Sequence, residues 1–145
     1  MKVLIVSHLL ARELGGGVRM RAIAVARALV RAGVEVHLLG TDTGMTPADA
    51  ADLADLPVTS VRSVLPRFAV PFRAGRQVAQ LAGDADVVLL FNHWTLLNVT
   101  AYRAARRQGV AHVICPSGAL TWGTRSHAIK RVYQAIAGTR TAPSR

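Results

Sequence analysis

An apolar strand, a run of glycines and a long amphipathic stretch follow one another within roughly the first forty residues. Lys2–Ser7 reads as a strand. Gly15-Gly16-Gly17 ends the loop behind it, and helical periodicity starts at Val18. Val18, Ala22, Val25, Ala26 and Leu29 fall on one helical face, and Arg27 and Arg31 on another. Gly33 stands where a helix C-terminal glycine belongs, and Gly33–Leu39 reads as a second strand. A strand–glycine loop–helix–strand unit suits a phosphate-bearing ligand. Glycines let the backbone come close to an anion, and the helix behind them offers free N–H groups and the positive end of its dipole.

The rest of the chain repeats the alternation. Val3–Val6, Val87–Phe91 and Val113–Cys115 are continuous apolar runs, as strands buried on both faces require. Thr46-Pro47-Ala48-Asp49 reads as a helix start, with Thr46 as cap and Pro47 in the first turn; that helix ends near Leu56-Pro57. Val58–Val64 is a weaker strand. Leu96–Gln108 and Arg125–Ala137 are helices, closed by Gly109 and Gly138. Strands and helices thus alternate from end to end. The expected fold is α/β, a doubly wound, mostly parallel sheet with helices on both faces and right-handed crossovers. The domain is expected over residues 1–138, with a frayed polar tail at 139–145. Ligands of such sheets bind beyond the carboxyl ends of the strands, here Ser7–Gly17, Gly40–Thr43, Asn92–Thr95 and Pro116–Thr124.

Composition narrows the function. The chain has 145 residues, 51% of them hydrophobic, enough for one domain with a core. No apolar run approaches the roughly 18 residues of a membrane span. The first strand is too short and too soon interrupted by Ser7-His8 for a signal peptide, which leads to a cytoplasmic expectation. Cys115 is the only cysteine and reads as a small buried residue rather than a catalytic thiol. The five histidines have no ligand spacing, so no metal is expected. The net charge of +10 favours anionic partners, but no nucleic-acid motif accompanies it.

The glycine run is neither a dinucleotide fingerprint nor a Walker A loop. Position 20 is Met20, and no Gly-Lys-Ser/Thr follows. It is either a phosphate loop or plain punctuation. His93 ends a strand, placed as a hydrogen-bond donor, a general base or a structural histidine. Trp94 stacks on a sugar or covers the sheet edge. Ser117-Gly118 offers a donor and a close backbone approach, or an ordinary turn. Arg62, Arg67, Arg73 and Arg76 interleave with Val64, Leu65, Phe68, Val70 and Phe72, which suits a membrane-surface patch or a solvated face.

Three blocks in order resemble the N-terminal domain of family 4 glycosyltransferases, which have the two-domain GT-B fold. They are Gly16-Gly17 with Val25–Gly33 and Val34-Glu35-Val36; Asp86–Trp94; and Pro116-Ser117-Gly118-Ala119-Leu120 with Lys130-Arg131-Val132-Tyr133. The resemblance spans nearly the whole chain. It implies one Rossmann-like half of a GT-B fold, the half that holds the acceptor, in an enzyme that moves a sugar from a nucleotide sugar. No metal or other cofactor is implied; the nucleotide sugar is a co-substrate. The acceptor would be a lipid-linked or cell-envelope glycan, with peripheral contact at the inner face of a membrane through Arg67, Phe68, Phe72, Arg73 and Arg76. Gly15, Gly16, Gly17, Arg19, Trp94, Ser117 and Gly118 would bind substrate, and His93 would be catalytic. Ser117 stands where the family pattern has arginine. The family's nucleotide-sugar domain does not follow within these residues, so the chain alone is expected to be inactive without that domain or a split partner chain. The competing expectation is a non-catalytic α/β module that binds a phosphorylated ligand.

Overall fold

Two of the three apolar runs, Val3–Val6 and Val87–Phe91, lie inside a parallel sheet, with both of their faces covered. A computed structural model describes residues 1–64, 71, 73–92 and 95–116. Its elements are β1 (Lys2–Leu9), α1 (Arg12–Arg31), β2 (Glu35–Thr41), α2 (Pro47–Asp52), β3 (Val58–Val61), α3 (Gly75–Gly83), β4 (Val87–Phe91), α4 (Leu96–Arg107) and β5 (Ala111–Cys115). All strand pairs among them are parallel, in the order β3-β2-β1-β4-β5. The last expected helix, Arg125–Ala137, lies outside the described residues.

Alternation along the central strands splits the core into two layers. Leu4, Val6, Val88 and Leu90 pack with Val78 of α3 and with Leu97 and Ala101 of α4. Val3, Ile5, Val36, Leu38 and Phe91 pack with Ala22, Ile23 and Ala26 of α1 and with Leu53 and Leu56 behind α2. β5 departs from the expectation of burial on both faces. It ends the sheet of described strands, Val113 is 50% exposed, and Cys115 is half-buried. A strand with a single described neighbour has less to cover it.

The helix starts follow local chemistry. Thr46 caps α2 in a reciprocal capping box with Asp49, and Pro47 occupies the first turn. Thr95 caps α4 by accepting from the Asn98 N–H at 3.3 Å. The start of α1 differs from the sequence expectation. The glycines do not lie in an open loop. Helix begins at Arg12, breaks at Gly16 (φ 48°, ψ −143°) and resumes through Arg31. Ala11 supplies no side-chain cap. The cap comes from α2, where Asp49 Oδ1 accepts from the Arg12 N–H at 2.8 Å. A carboxylate thirty-seven positions along the chain therefore supplies the cap that Ala11 lacks.

Candidate functional site

The sheet order reverses between β1 and β4. The chain steps outward from β1 to β2 and β3, then returns to β4 on the other side of β1. The crevice at the carboxyl ends of these two strands is where open α/β sheets receive ligands. Ser7 of β1 lies opposite Phe91 of β4, and Phe91 lies opposite Cys115.

Three buried polar atoms sit at these strand ends with no hydrogen-bond partner among the described residues: Ser7 Oγ, His8 Nδ1 and Asn98 Oδ1. Buried polar atoms are normally satisfied, which makes these three the candidate ligand-facing groups of the crevice. The backbone around them is well tied. His8 O accepts from Thr41 Oγ1 at 2.5 Å, and Asn98 Nδ2 donates to the carbonyls of Phe91 (2.9 Å) and Asn92 (2.8 Å). Asn92 itself turns through a left-handed conformation (φ 70°), which asparagine tolerates better than most residues.

The glycines meet the same strand end. A Cβ on Gly15 would stand 2.5 Å from Arg19 Cβ and 2.8 Å from the Leu9 carbonyl oxygen, so only glycine fits there. Gly16 adopts a backbone conformation essentially reserved for glycine. Gly17 is different: its φ is ordinary, and a Cβ would meet nothing within 4 Å. The run thus contains two glycines that shape the turn and a third that leaves open space beside it.

Arg19, expected at the ligand, is held inside. Its side chain is 6% exposed. Nε donates to the Leu10 carbonyl at 2.6 Å and Nη2 to Asp52 at 2.7 Å, with Asp49 at 3.9 Å. Arg12 and Arg27 also approach Asp52, and Arg27 pairs with Asp55. Hydrogen bonds from Thr46, followed by the Arg12 and Thr46 N–H groups, hold the Asp49 carboxyl below the usual range. Arg19 does the same for Asp52, and Arg27 for Asp55. Burial lowers the pKa of His8 and of His37.

These shifts give an acid-stability profile with two stages. A histidine whose folded pKa lies below 6.5 is neutral in the fold and protonates more readily in the unfolded chain. His8 and His37 therefore favour folding fully above that value, and the contribution is lost as pH falls below it. The aspartates favour folding above 3.8, and theirs is lost as pH falls further, through their depressed folded-state values. Thermal melts followed by circular dichroism from about pH 8 to about pH 3 should show both declines. The double variant His8→Gln, His37→Gln should remove the first alone; a single late decline in the parent protein would contradict the assignment.

Of the other expected site residues, Arg73 and Arg76 are exposed around the start of α3, and Arg73 has φ 52°. Arg67, Phe68, Phe72, His93, Trp94, Ser117 and Gly118 lie outside the described residues. Sequence reasoning does not single out Ser7, His8 or Asn98 as site residues. The signal available is a pair of polar residues closing an apolar run at Ser7-His8. Asn98 carries no such signal, because an asparagine in the first turn of a helix looks ordinary. Among the described residues no group of three His, Cys, Asp or Glu is placed to hold a metal, and no helix is long and apolar enough to cross a membrane.

Fold and crevice together define a Rossmann-like α/β domain with a glycine turn at its switch point. Residues 16–142 match the glycosyl transferase 4-like domain, and the chain belongs to that family. Among solved structures it resembles MurG of Acinetobacter baumannii, at 21% identity and a TM-score of 0.61, over 99% of this chain and 43% of that one. It also resembles the UDP-glucose 4-epimerase of Thermus thermophilus, solved with NAD, at 16% identity and a TM-score of 0.51, over 95% of this chain and 49% of that one. At these identities the likeness is one of fold. The chain spans less than half the length of either structure. None of the curated protein sequences matches it.

Proposed function

We propose that this chain is the acceptor-side half of a glycosyltransferase that moves a sugar from a nucleotide sugar to a lipid-linked or cell-envelope acceptor, working at the inner face of a membrane. The observation that carries the reading is the break at Gly16. It opens the main run of α1 beside the end of β1, in the crevice where Ser7, His8 and Asn98 have polar atoms without a partner among the described residues. Nucleotide sugars and many lipid-linked acceptors share phosphate, and a glycine-lined helix opening is suited to phosphate. Gly16 and Gly17 approach that phosphate with backbone N–H groups. His8 and Asn98 offer hydrogen bonds to the same ligand. The family resemblance assigns substrate contact to Trp94, Ser117 and Gly118 and catalysis to His93, and the basic segment with Arg73 and Arg76 would meet anionic lipid. The sugar-transfer step needs donor and acceptor held together in reacting geometry, so a second domain or chain supplies the opposite wall. The family match favours this reading over a free-standing binding module.

Gly17→Leu tests the reading without disturbing the fold. The site has open space and ordinary backbone angles, and replacing a helical glycine should leave stability unchanged or raise it by up to about 1 kcal/mol. Titration with inorganic pyrophosphate, followed by amide NMR, should shift the Gly15–Val18 resonances in the parent protein. The leucine side chain should weaken that response about tenfold, the loss of one good contact. Undiminished binding by the variant would reduce the glycines to punctuation.

A further inference from the structure

Arg19 lies one helical turn after Gly15, yet its charge is directed away from the crevice. Its Nε holds the carbonyl of Leu10, the residue before the helix cap Ala11. Its Nη2 holds Asp52 of α2. Asp49, on the same helix, receives the Arg12 N–H with one oxygen and Thr46 with the other. Leu10 and Arg12 therefore flank Ala11 at the entry to the turn, and both are bound to one charge cluster. The exit is bound to the same cluster through Arg19 itself. Between them, the Gly15 N–H donates to the Ala11 carbonyl at 2.8 Å, and the missing side chain of Gly15 is what lets Arg19 pass so close.

We infer that Arg19, Asp49 and Asp52 form a clamp that fixes the Gly15–Gly17 turn in its phosphate-accepting shape. Arg19 is a positioning residue, acting through the turn and touching no ligand. The inference rests on the phosphate reading above. It gives α2 a role in binding although α2 stands outside the crevice. It also separates two effects of charge that would otherwise be confused. If Arg19 attracted the anion directly, its carboxylate partners would oppose binding and their neutralisation would help. In a clamp, neutralising a partner loosens the turn and harms binding.

The deciding variant is Asp52→Asn, which keeps the shape of a partly exposed side chain and removes one negative charge. Pyrophosphate affinity is read from the Gly16 and Gly17 amide shifts at two salt concentrations. The clamp predicts binding at least about fivefold weaker, the scale of one hydrogen bond lost from a network, although plain electrostatics predicts it tighter. Arg19→Lys, which preserves charge but not the guanidinium fork, should weaken binding similarly, with the salt dependence unchanged. Equal or tighter binding by Asp52→Asn overturns the clamp and leaves the phosphate reading standing, whether or not Arg19→Lys folds. A parent protein whose glycine amides ignore pyrophosphate overturns the phosphate reading, and the clamp with it.

Discussion

Gly40→Val is expected to cost the fold about 3 kcal/mol or more, at or beyond the upper end for an overpacked core position. Gly40 is the next-to-last residue of β2, and Leu10, fully buried, packs directly on its Cα face. A Cβ there would collide with the Leu10 side chain and stand 2.6 Å from the Ser7 carbonyl oxygen. The leucine is fully buried, and the carbonyl belongs to the central strand, which cannot shift without disturbing its neighbours on both sides. Relief must come from pushing Leu10 outward, which drags the entry of the glycine turn with it. The variant should therefore lose thermal stability and phosphate response together, seen as a lower melting midpoint and as displaced Gly15–Gly17 amide resonances before any ligand is added. A stable variant with undisturbed glycine resonances would mean that Leu10 does not press on β2 as described.

Phe91→Ala should cost about 3–5 kcal/mol, the range for deleting a buried aromatic side chain. Phe91 is the last residue of β4, 2% exposed, and belongs to the layer beneath α1. Its carbonyl also anchors Asn98, so the same residue supports the core with its side chain and α4 with its backbone. Truncation leaves a cavity at the carboxyl end of the strand, next to the crevice. Chemical denaturation should show a lower midpoint with little change in slope. Phe91→Leu, which refills much of the volume, should recover most of the loss. If alanine and leucine behaved alike, hydration at the strand end rather than packing would control this position.

Much of the fold is legible in the sequence because its signals are local. β1 and β4 are continuous apolar runs, and both core layers need such runs at the sheet centre. Thr46-Pro47 announces α2, and the α4 stripe of Leu97, Ala101 and Ala104 announces its buried face. The position of the glycine turn is legible too, but its form is not. Its first turn is capped by Asp49 from another element, and no window around Arg12 contains that information. Arg19 next to three glycines reads like a ligand residue, and only the fold shows that its side chain is buried and bonded to Leu10 and Asp52. The weaker strand ends at Val61 rather than Val64, since only Val58–Val61 pairs with β2.

The double duty of Asp49 reaches beyond the static structure. One carboxylate closes the first turn of α2 with one oxygen and the first turn of α1 with the other. Neither helix end can fray without loosening the other, so the two behave as a single opening unit under native conditions. α2 has only six residues, too few to persist unaided. Substitutions in α2, the shortest of the described helices, are therefore expected to alter how often the glycine turn opens even where its average shape is unchanged.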